Sequence, residues 1–389
     1  FRAQANALRD EMIARRRDLH QHPEIAFEEV RTAGIVAQEL SKLGLEVQTG
    51  IGKTGVVGLL EGEQDGPTVL VRCDMDALPI QEANEVEYRS QTAQRMHACG
   101  HDGHTTIALA VARMLTAQRD SLRGRVKFVF QPAEEIGQGA TAMINDGVLL
   151  DPVPEVSLGL HLWNELPVGE IGLTPNGMMA GASMFQVEIS GHGGHAAIPD
   201  RTADPVMAMA QIITALQSIV SRNVSPLDTA VVSVTRVCGG DAFNVIPDQA
   251  AFDGTIRTFR REVYDLVVGR FERVVKGTAE TMGCTARITL DALSLPVIND
   301  AGAVSRLREG FTRIAPDLTY RDDVRTMAAE DMAFFLEKVP GVYFLVGSAN
   351  EERGLNYPHH HPRFDMDEEA LVIGASLLAS AVSEYVLPD

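Results

Sequence analysis

Four cysteines in 389 residues are too few for a disulfide framework, so the fold must rest on its core. Basic residues are also scarce. The 34 Lys+Arg set against 53 Asp+Glu give a formal charge of −19, a field that repels phosphate backbones and anionic lipid surfaces. Nucleic acid is thereby disfavoured as a partner, and a substrate bearing a carboxylate would need cations supplied locally by its site. Long apolar runs are missing too. Leu371 to Val382 is the longest candidate and falls short of the roughly 18 residues that a spanning helix needs, so no membrane insertion is expected. No internal repeat, low-complexity tract or Pro/Gly/Ser-rich linker interrupts the chain. Phe1 rather than Met opens it, which leaves the compartment open between the favoured cytoplasm and an exported mature form.

What is present is the composition of an ordinary globular protein, 45% apolar and 22% charged, at a length beyond one hydrophobic core. Helical spacing in Ala3 to Arg17 and Arg31 to Leu43 alternates with short apolar runs at Thr68 to Cys73, Val126 to Phe130 and Val156 to Leu160. That alternation predicts an α/β domain, a mixed sheet covered by helices. Near Ser183 the texture changes. A half-buried strand (MFQVEIS) leads through GHGGH to a helix from Asp204 to about Ser221. Strands TAVVSVTRV and QAAFDGTIRTF, a helix from Glu262 to about Thr281 and a strand ARITLDAL follow. This order fits an α+β, ferredoxin-like block: an antiparallel sheet faced by two helices. Helix and strand then alternate again after about Pro296. The domains expected are therefore 1–182 with 295–389, and an insert at 183–294.

All eleven histidines fall into five short segments, each where a strand or helix should end. In MHACGHDGH, Cys99 and His101 stand at the start of a helix, whose dipole favours a thiolate. In VKFVFQPAEE an apolar strand runs into Glu134 and Glu135, whose side chains point in different directions on an extended segment. One can bind a metal while the other faces a water. That division suits amide hydrolysis, in which a metal lowers the water's pKa towards about 7 and a carboxylate moves the proton to the leaving amine. LGLHLW ends a strand on His161, and NYPHHHPRFD offers His359, His360 and His361. Of these, His360 is the preferred ligand, with His359 and His361 expected in solvent. Cys99, His101, Glu135, His161 and His360 exceed the need of one tetrahedral zinc and suit two divalent ions, zinc or manganese, with cobalt also compatible. Cys73, Cys238 and Cys284 read as core or incidental thiols.

These segments, with LHQHPEIAFEE, VRCDMDALP, GHGGHAAIP, FNVIPD, GTIR and AAEDMAFF, resemble in order and over nearly the whole chain the aminoacylase and hippurate hydrolase family of dinuclear metalloamidohydrolases, especially its auxin-conjugate hydrolase branch. The resemblance implies a zinc-peptidase-like catalytic domain with an inserted lid and dimerisation domain, and a homodimer or higher oligomer formed through that insert. It implies the five metal ligands above, Glu134 as general base and Asp76 orienting a group beside the metals. His195 would steady the oxyanion, in several members across a dimer interface. Asn244 and Arg257 would clamp a substrate carboxylate, while His192 has no assigned part and His20 and His22 fix the end of the first helix. The implied activity is hydrolysis of N-acyl or N-aroyl amino acids, hippurate-like and bulky ochratoxin-type phenylalanine amides included. The alternatives are a dipeptidase or N-acetyl-diaminopimelate deacetylase and, more remotely, a non-catalytic metal-binding scaffold. A scaffold would have lost a ligand or the base, and all are in place.

Overall fold

A computed structural model describes residues 1–388, which form two compact units. One comprises Phe1–Met178, Ile298–Arg325 and the chain from Asp331 onward; the other comprises Met179–Val297 and Thr326–Glu330. Against the expected 183–294, the insert thus begins at Met179 and ends at Val297, and it recruits a short stretch far along the chain that no local pattern announces.

The larger unit opens with helices α1 (Arg9–Gln21) and α2 (Val30–Lys42), followed by strands β1 (Glu46–Ile51), β2 (Gly55–Glu61) and β3 (Gln64–Asp74). Helix α3 (His101–Thr116), β4 (Arg123–Gln131), β5 (Val156–Pro167) and β6 (Glu170–Gly172) come next. The first helix runs past its expected end at Arg17, and a short helix, Arg2–Ala7, precedes it. In the insert, β7 (Gly181–Ser190), α4 (Pro205–Asn223), β8 (Ala230–Gly239), β9 (Gln249–Thr258), α5 (Arg261–Thr281) and β10 (Thr285–Ser294) follow the predicted order. The chain then returns to the larger unit with α6 (Ala301–Ile314), β11 (Thr319–Arg321), α7 (Met332–Lys338), β12 (Gly341–Ala349) and α8 (Glu369–Val386).

The large sheet has the order β1-β2-β4-β3-β5-β12-β6-β11. Strands β4, β3, β5 and β12 are mutually parallel, β2 and β6 run against them, β1 pairs antiparallel with β2 and β11 parallel with β6, so the sheet is mixed as expected. Its central strands read as continuous apolar runs because helices bury both faces; Phe128, Val129 and Phe130 are successive and fully buried. Helix α8 is long and apolar enough to cross a membrane by length and composition. It is a core helix here, 72% buried, packed with α3 and the sheet.

The insert is a four-stranded antiparallel sheet of order β8-β9-β7-β10. Burial alternates along β7 and β9, so one face is apolar. Helix α4 starts at Asp204, whose side chain accepts the N–H groups of Val206 and Met207, with Pro205 at the first helical position. It presents Ala208, Ile212, Leu216 and Ile219 to the core, and α5 presents Val263, Val267, Phe271 and Val275, both at helical spacing.

Candidate metal centre

Parallel strands β3, β4 and β5 run toward one sheet edge, where open α/β folds collect ligand-binding groups, although β5 continues past His161, its expected end, to Pro167. Asp74 pairs with Gln131 across β3 and β4, and Arg72 pairs with Gly159, so His161 lies at the level of Asp74. Beyond β4 the chain turns sharply through Ala133, at φ +54, into Glu134 and Glu135. Gly139 closes this turn. Its N–H donates to the Ala133 carbonyl at 3.1 Å, and a Cβ there would stand 1.6 Å from the Pro132 oxygen.

Asp76 organises the other side. Its two carboxylate oxygens accept the N–H groups of Glu134 and Glu135, both at 3.1 Å, and its backbone carbonyl accepts from His101 Nδ1 at 2.9 Å. Burial pushes the Asp76 carboxyl up, and Glu135 adds to the effect. With Nδ1 engaged, His101 turns Nε2 into the cluster, 3.8 Å from Glu135 Oε1. Both atoms are buried and neither has a hydrogen-bond partner, a combination that a shared metal ion explains. Burial disfavours charge on the His101 ring, yet Asp74, Asp76 and Glu135 outweigh it and push the ring up to about 10. The surroundings of His101 are thus a seat for positive charge, proton or metal.

The donor atoms of Cys99, His101 and His161 lie within 4.8 Å of one another, and so do those of Cys99, Glu135 and His360. Two triads that share a cysteine fit a pair of divalent cations. Cys99 Sγ is 3.6 Å from His161 Nε2, and the other nitrogen of that ring, Nδ1, donates to the Leu162 carbonyl at 2.7 Å. Burial, with His104 and His359 beside it, holds His161 well below the usual imidazole range, so its ring is neutral. Burial also opposes charge on Glu135, but His360 and His101 keep its carboxyl below the ordinary range. The Glu134 carboxylate lies within 4.8 Å of the His101 and Glu135 donor atoms and accepts the Asp331 N–H at 3.4 Å.

The three terminal histidines differ from expectation in exposure. His360 is the exposed one, its side chain 54% accessible, yet its φ of +64 and its N–H bond to the Ala98 carbonyl bring Nε2 to 3.3 Å from Glu135 Oε2. His359 is half-buried, stacked on Trp163 with Nε2 donating to the Leu162 carbonyl, and burial pushes it down to about 4. His361 is half-buried against Tyr357. His359 owes its burial to Trp163, which is remote in sequence, whereas His361 packs on Tyr357 of its own segment. His22 does close its helix, through Asp18, but the His20 ring reaches instead to Asp102 at 2.8 Å and Glu82 at 3.3 Å. His97 is buried with neither ring nitrogen hydrogen-bonded, and burial pushes it down to about 4.

In the insert, His195 is exposed and pairs with Val245, which sets it beside Asn244; the Asn244 carbonyl accepts the Ala196 N–H. Gly193 makes this possible, since a Cβ there would stand 2.4 Å from the Ile246 oxygen. Arg257 is half-buried near the C-terminal end of β9, its guanidinium donating to Thr255 and to the Ile256 carbonyl. Asn244 lies beyond the opposite end, past Gln249. Eight residues at about 3.3 Å each separate the two ends, on the order of 26 Å. The expected joint clamp of Asn244 and Arg257 therefore does not form within one copy of the insert. His192 is exposed and only bridges to Ala203.

Several supporting residues went unassigned in the sequence. Beneath the site Arg72 is fully buried, donating to Gln131 and Asp74 and to Asp331 at 2.8 Å, while Gln131 and the Ala140 N–H also donate to Asp331. His104 spends both nitrogens on Asp74 and the Leu162 N–H, so it orients the cluster without being free to ligate. Their signal is present: charged residues inside an apolar strand, as in VRCD, are rarely buried without partners.

The chain matches the model of Peptidase family M20/M25/M40 over residues 70–384. It is 40% identical over 374 residues to the N-acetylcysteine deacetylase of Bacillus subtilis, spanning 96% of each chain. It is 39% identical to IAA-amino acid hydrolase ILR1-like 4 of Arabidopsis thaliana, over 99% of this chain and 88% of that one. Among solved structures, the Bacillus subtilis YXEP protein, a dinuclear metal binding peptidase from the M20 family, is 36% identical with a TM-score of 0.85, covering 97% of this chain and 98% of its own.

Proposed function

This chain belongs to peptidase family M20/M25/M40 and is a metal-dependent amidohydrolase, and from that premise we propose that it cleaves the amide bond of N-acyl or N-aroyl amino acids to a carboxylic acid and a free amino acid. The observation that carries this is Glu134: a carboxylate beside the donor atoms of His101 and Glu135, on a backbone fastened by Asp76. Relatives named for an N-acetyl amino acid and for an amino-acid conjugate support the substrate class.

Cys99, His101, Glu135, His161 and His360 would hold two divalent cations. When bound, these supply a Lewis acid for the amide carbonyl and render a water acidic near neutral pH. Glu134 takes one proton from the water whose oxygen attacks the carbonyl carbon, and it returns that proton to the nitrogen as the C–N bond breaks. Asp76 keeps the turn that aims Glu134. His195 donates to the developing oxyanion, and Arg257 pairs with the substrate carboxylate.

Because one copy cannot bring Arg257 and the His195–Asn244 pair together, we assign them to one substrate from two copies of the chain. Strand β8 supports this assignment: it is an edge strand whose outer half is exposed, with Val237 57% accessible, and Phe243 in the loop that follows it is fully so. Val237→Lys with Phe243→Asp should convert a dimer to a monomer by light scattering and lower kcat about 10²-fold. A monomeric parent with full activity refutes the assignment.

The substrate class is tested by assaying metal content together with amino-acid release. The panel holds N-acetyl, benzoyl and ochratoxin-type aryl amides, simple dipeptides and N-acetyl-diaminopimelate. About two metal ions per chain and a preference for the acyl and aroyl amides are expected. One ion or none per chain, or a preference for dipeptides, overturns the proposal.

A further inference from the structure

Glu29 lies in the segment LHQHPEIAFEE, far from the site in sequence, and the chemistry above gives it no part. Its side chain is nonetheless fully buried. Oε1 accepts the Ala133 N–H at 2.9 Å and the Phe27 N–H at 3.0 Å, and Oε2 accepts the Thr54 hydroxyl at 2.5 Å. Ala133 immediately precedes Glu134 and stands at φ +54, a left-handed conformation that a residue with a Cβ adopts only at a cost.

Three consecutive N–H groups therefore meet two carboxylates: Ala133 donates to Glu29, and Glu134 and Glu135 donate to Asp76. Each such bond sets the direction of one peptide plane, and successive planes set where the Glu134 and Glu135 side chains leave the backbone. Asp76 fixes only the two planes after the strained residue. The plane that enters the strained residue is held by Glu29, while the Gln138 and Gly139 N–H groups hold only its carbonyl.

We propose that Glu29 is a positioning residue that keeps Ala133 in its left-handed turn and thereby aims the carboxylates of Glu134 and Glu135. The catalytic half of this rests on Glu134 being the base. The geometry assigns the effect to reach rather than charge. An amide oxygen at the same place can still accept both N–H groups, while Thr54 rotates to accept from the amide nitrogen. A carboxylate one methylene shorter cannot reach Ala133.

The test compares Glu29→Gln, which keeps the reach, with Glu29→Asp, which keeps the charge. For Glu29→Asp, kcat should fall about 10- to 100-fold with KM nearly unchanged, and the Mn²⁺ dissociation constant, measured by calorimetry, should rise about tenfold. For Glu29→Gln both should stay within about threefold of the parent. Adding Ala133→Gly to Glu29→Asp should restore about tenfold, because glycine adopts positive φ without help. A purely structural role for the buried charge predicts the reverse order, Gln worse than Asp, with no rescue by glycine.

Equal values for the parent and Glu29→Asp overturn the inference, as does a Glu29→Gln loss as large as that of Glu29→Asp. Should Glu29→Asp fail to fold, Thr54→Val, which removes only the hydroxyl on Oε2, must shift kcat and Mn²⁺ affinity in the same direction by a smaller factor, and no shift refutes the role. A parent that cleaves no amide in the panel defeats the proposed function instead, and the order of Mn²⁺ affinities then decides the role of Glu29 alone.

Discussion

Glu134→Gln will lower kcat roughly 10²- to 10⁴-fold while leaving metal content at the parent's level. The substitution preserves volume, and the amide oxygen can still accept the Asp331 N–H that Glu134 accepts at 3.4 Å. The bond from the Glu134 N–H to Asp76 involves no side-chain atom of residue 134 and persists. All five donors assigned to the metals stay in place. What disappears is a group able to hold a proton between water and the leaving amine, so the loss should fall on kcat rather than on KM. Metal analysis and amino-acid release on the same preparation measure it. Glu135→Gln is the contrast, since it removes a donor from the triad with Cys99 and His360 and should lose metal as well as activity. Retention of activity by Glu134→Gln within a few fold of the parent rules the mechanism out.

The second large effect is on stability. Arg16→Met should destabilise the protein by about 3–5 kcal/mol, because it leaves buried carboxylates without their cation. Arg16 is fully buried, with Nε 3.0 Å from Asp102 and Nη2 2.8 Å from Asp365, and its guanidinium lies 5.1 Å from the centre of the Tyr88 ring. Burial alone would push the Asp365 carboxyl up, but Arg16 outweighs it and holds the group below the usual range; Asp102 is held well below for the same reason. A carboxylate with a depressed folded-state pKa contributes stability above its unfolded value, near 3.9, and loses it as pH falls through the lower folded value. In Arg16→Met those carboxylates titrate higher, and protonation relieves the defect in the acid range. The difference in melting temperature should therefore be greatest at neutral pH, about 5 °C, and shrink below about pH 4. A variant that melts with the parent at pH 7 would show that His20 and the backbone donors suffice for Asp102.

Arg16 also shows how far a sequence can be read. Its place on a helix of regular spacing is legible, whereas its burial is not, because an arginine on a helix is normally solvated. Arg72 and Asp74 differ, since charges inside an apolar strand signal their own burial, but the distant partner of Arg72 is as hidden as that of Arg16. Both arginines pair with residues more than eighty positions away, Arg16 with Asp102 and Arg72 with Asp331, and no local period connects such partners.

Scarce cations and cysteines argue against a nucleic-acid binder and a disulfide scaffold, and the apolar runs place Glu134 and Glu135 just past a strand end and Cys99 and His101 at a helix start, while His161 sits within β5 rather than at its end. Such placement is legible because strands end where their apolar run ends, and parallel strands end at the same edge. The order of elements in the insert is legible for the same local reason. Tertiary structure alone decided the rest: the left-handed turn at Ala133 and its hold by Glu29, the exposure of His360 between two half-buried histidines, and the separation of Arg257 from Asn244 along β9. A backbone dihedral, a burial and a through-space distance are each set by contacts between segments remote in the chain, and periodicity carries no record of them.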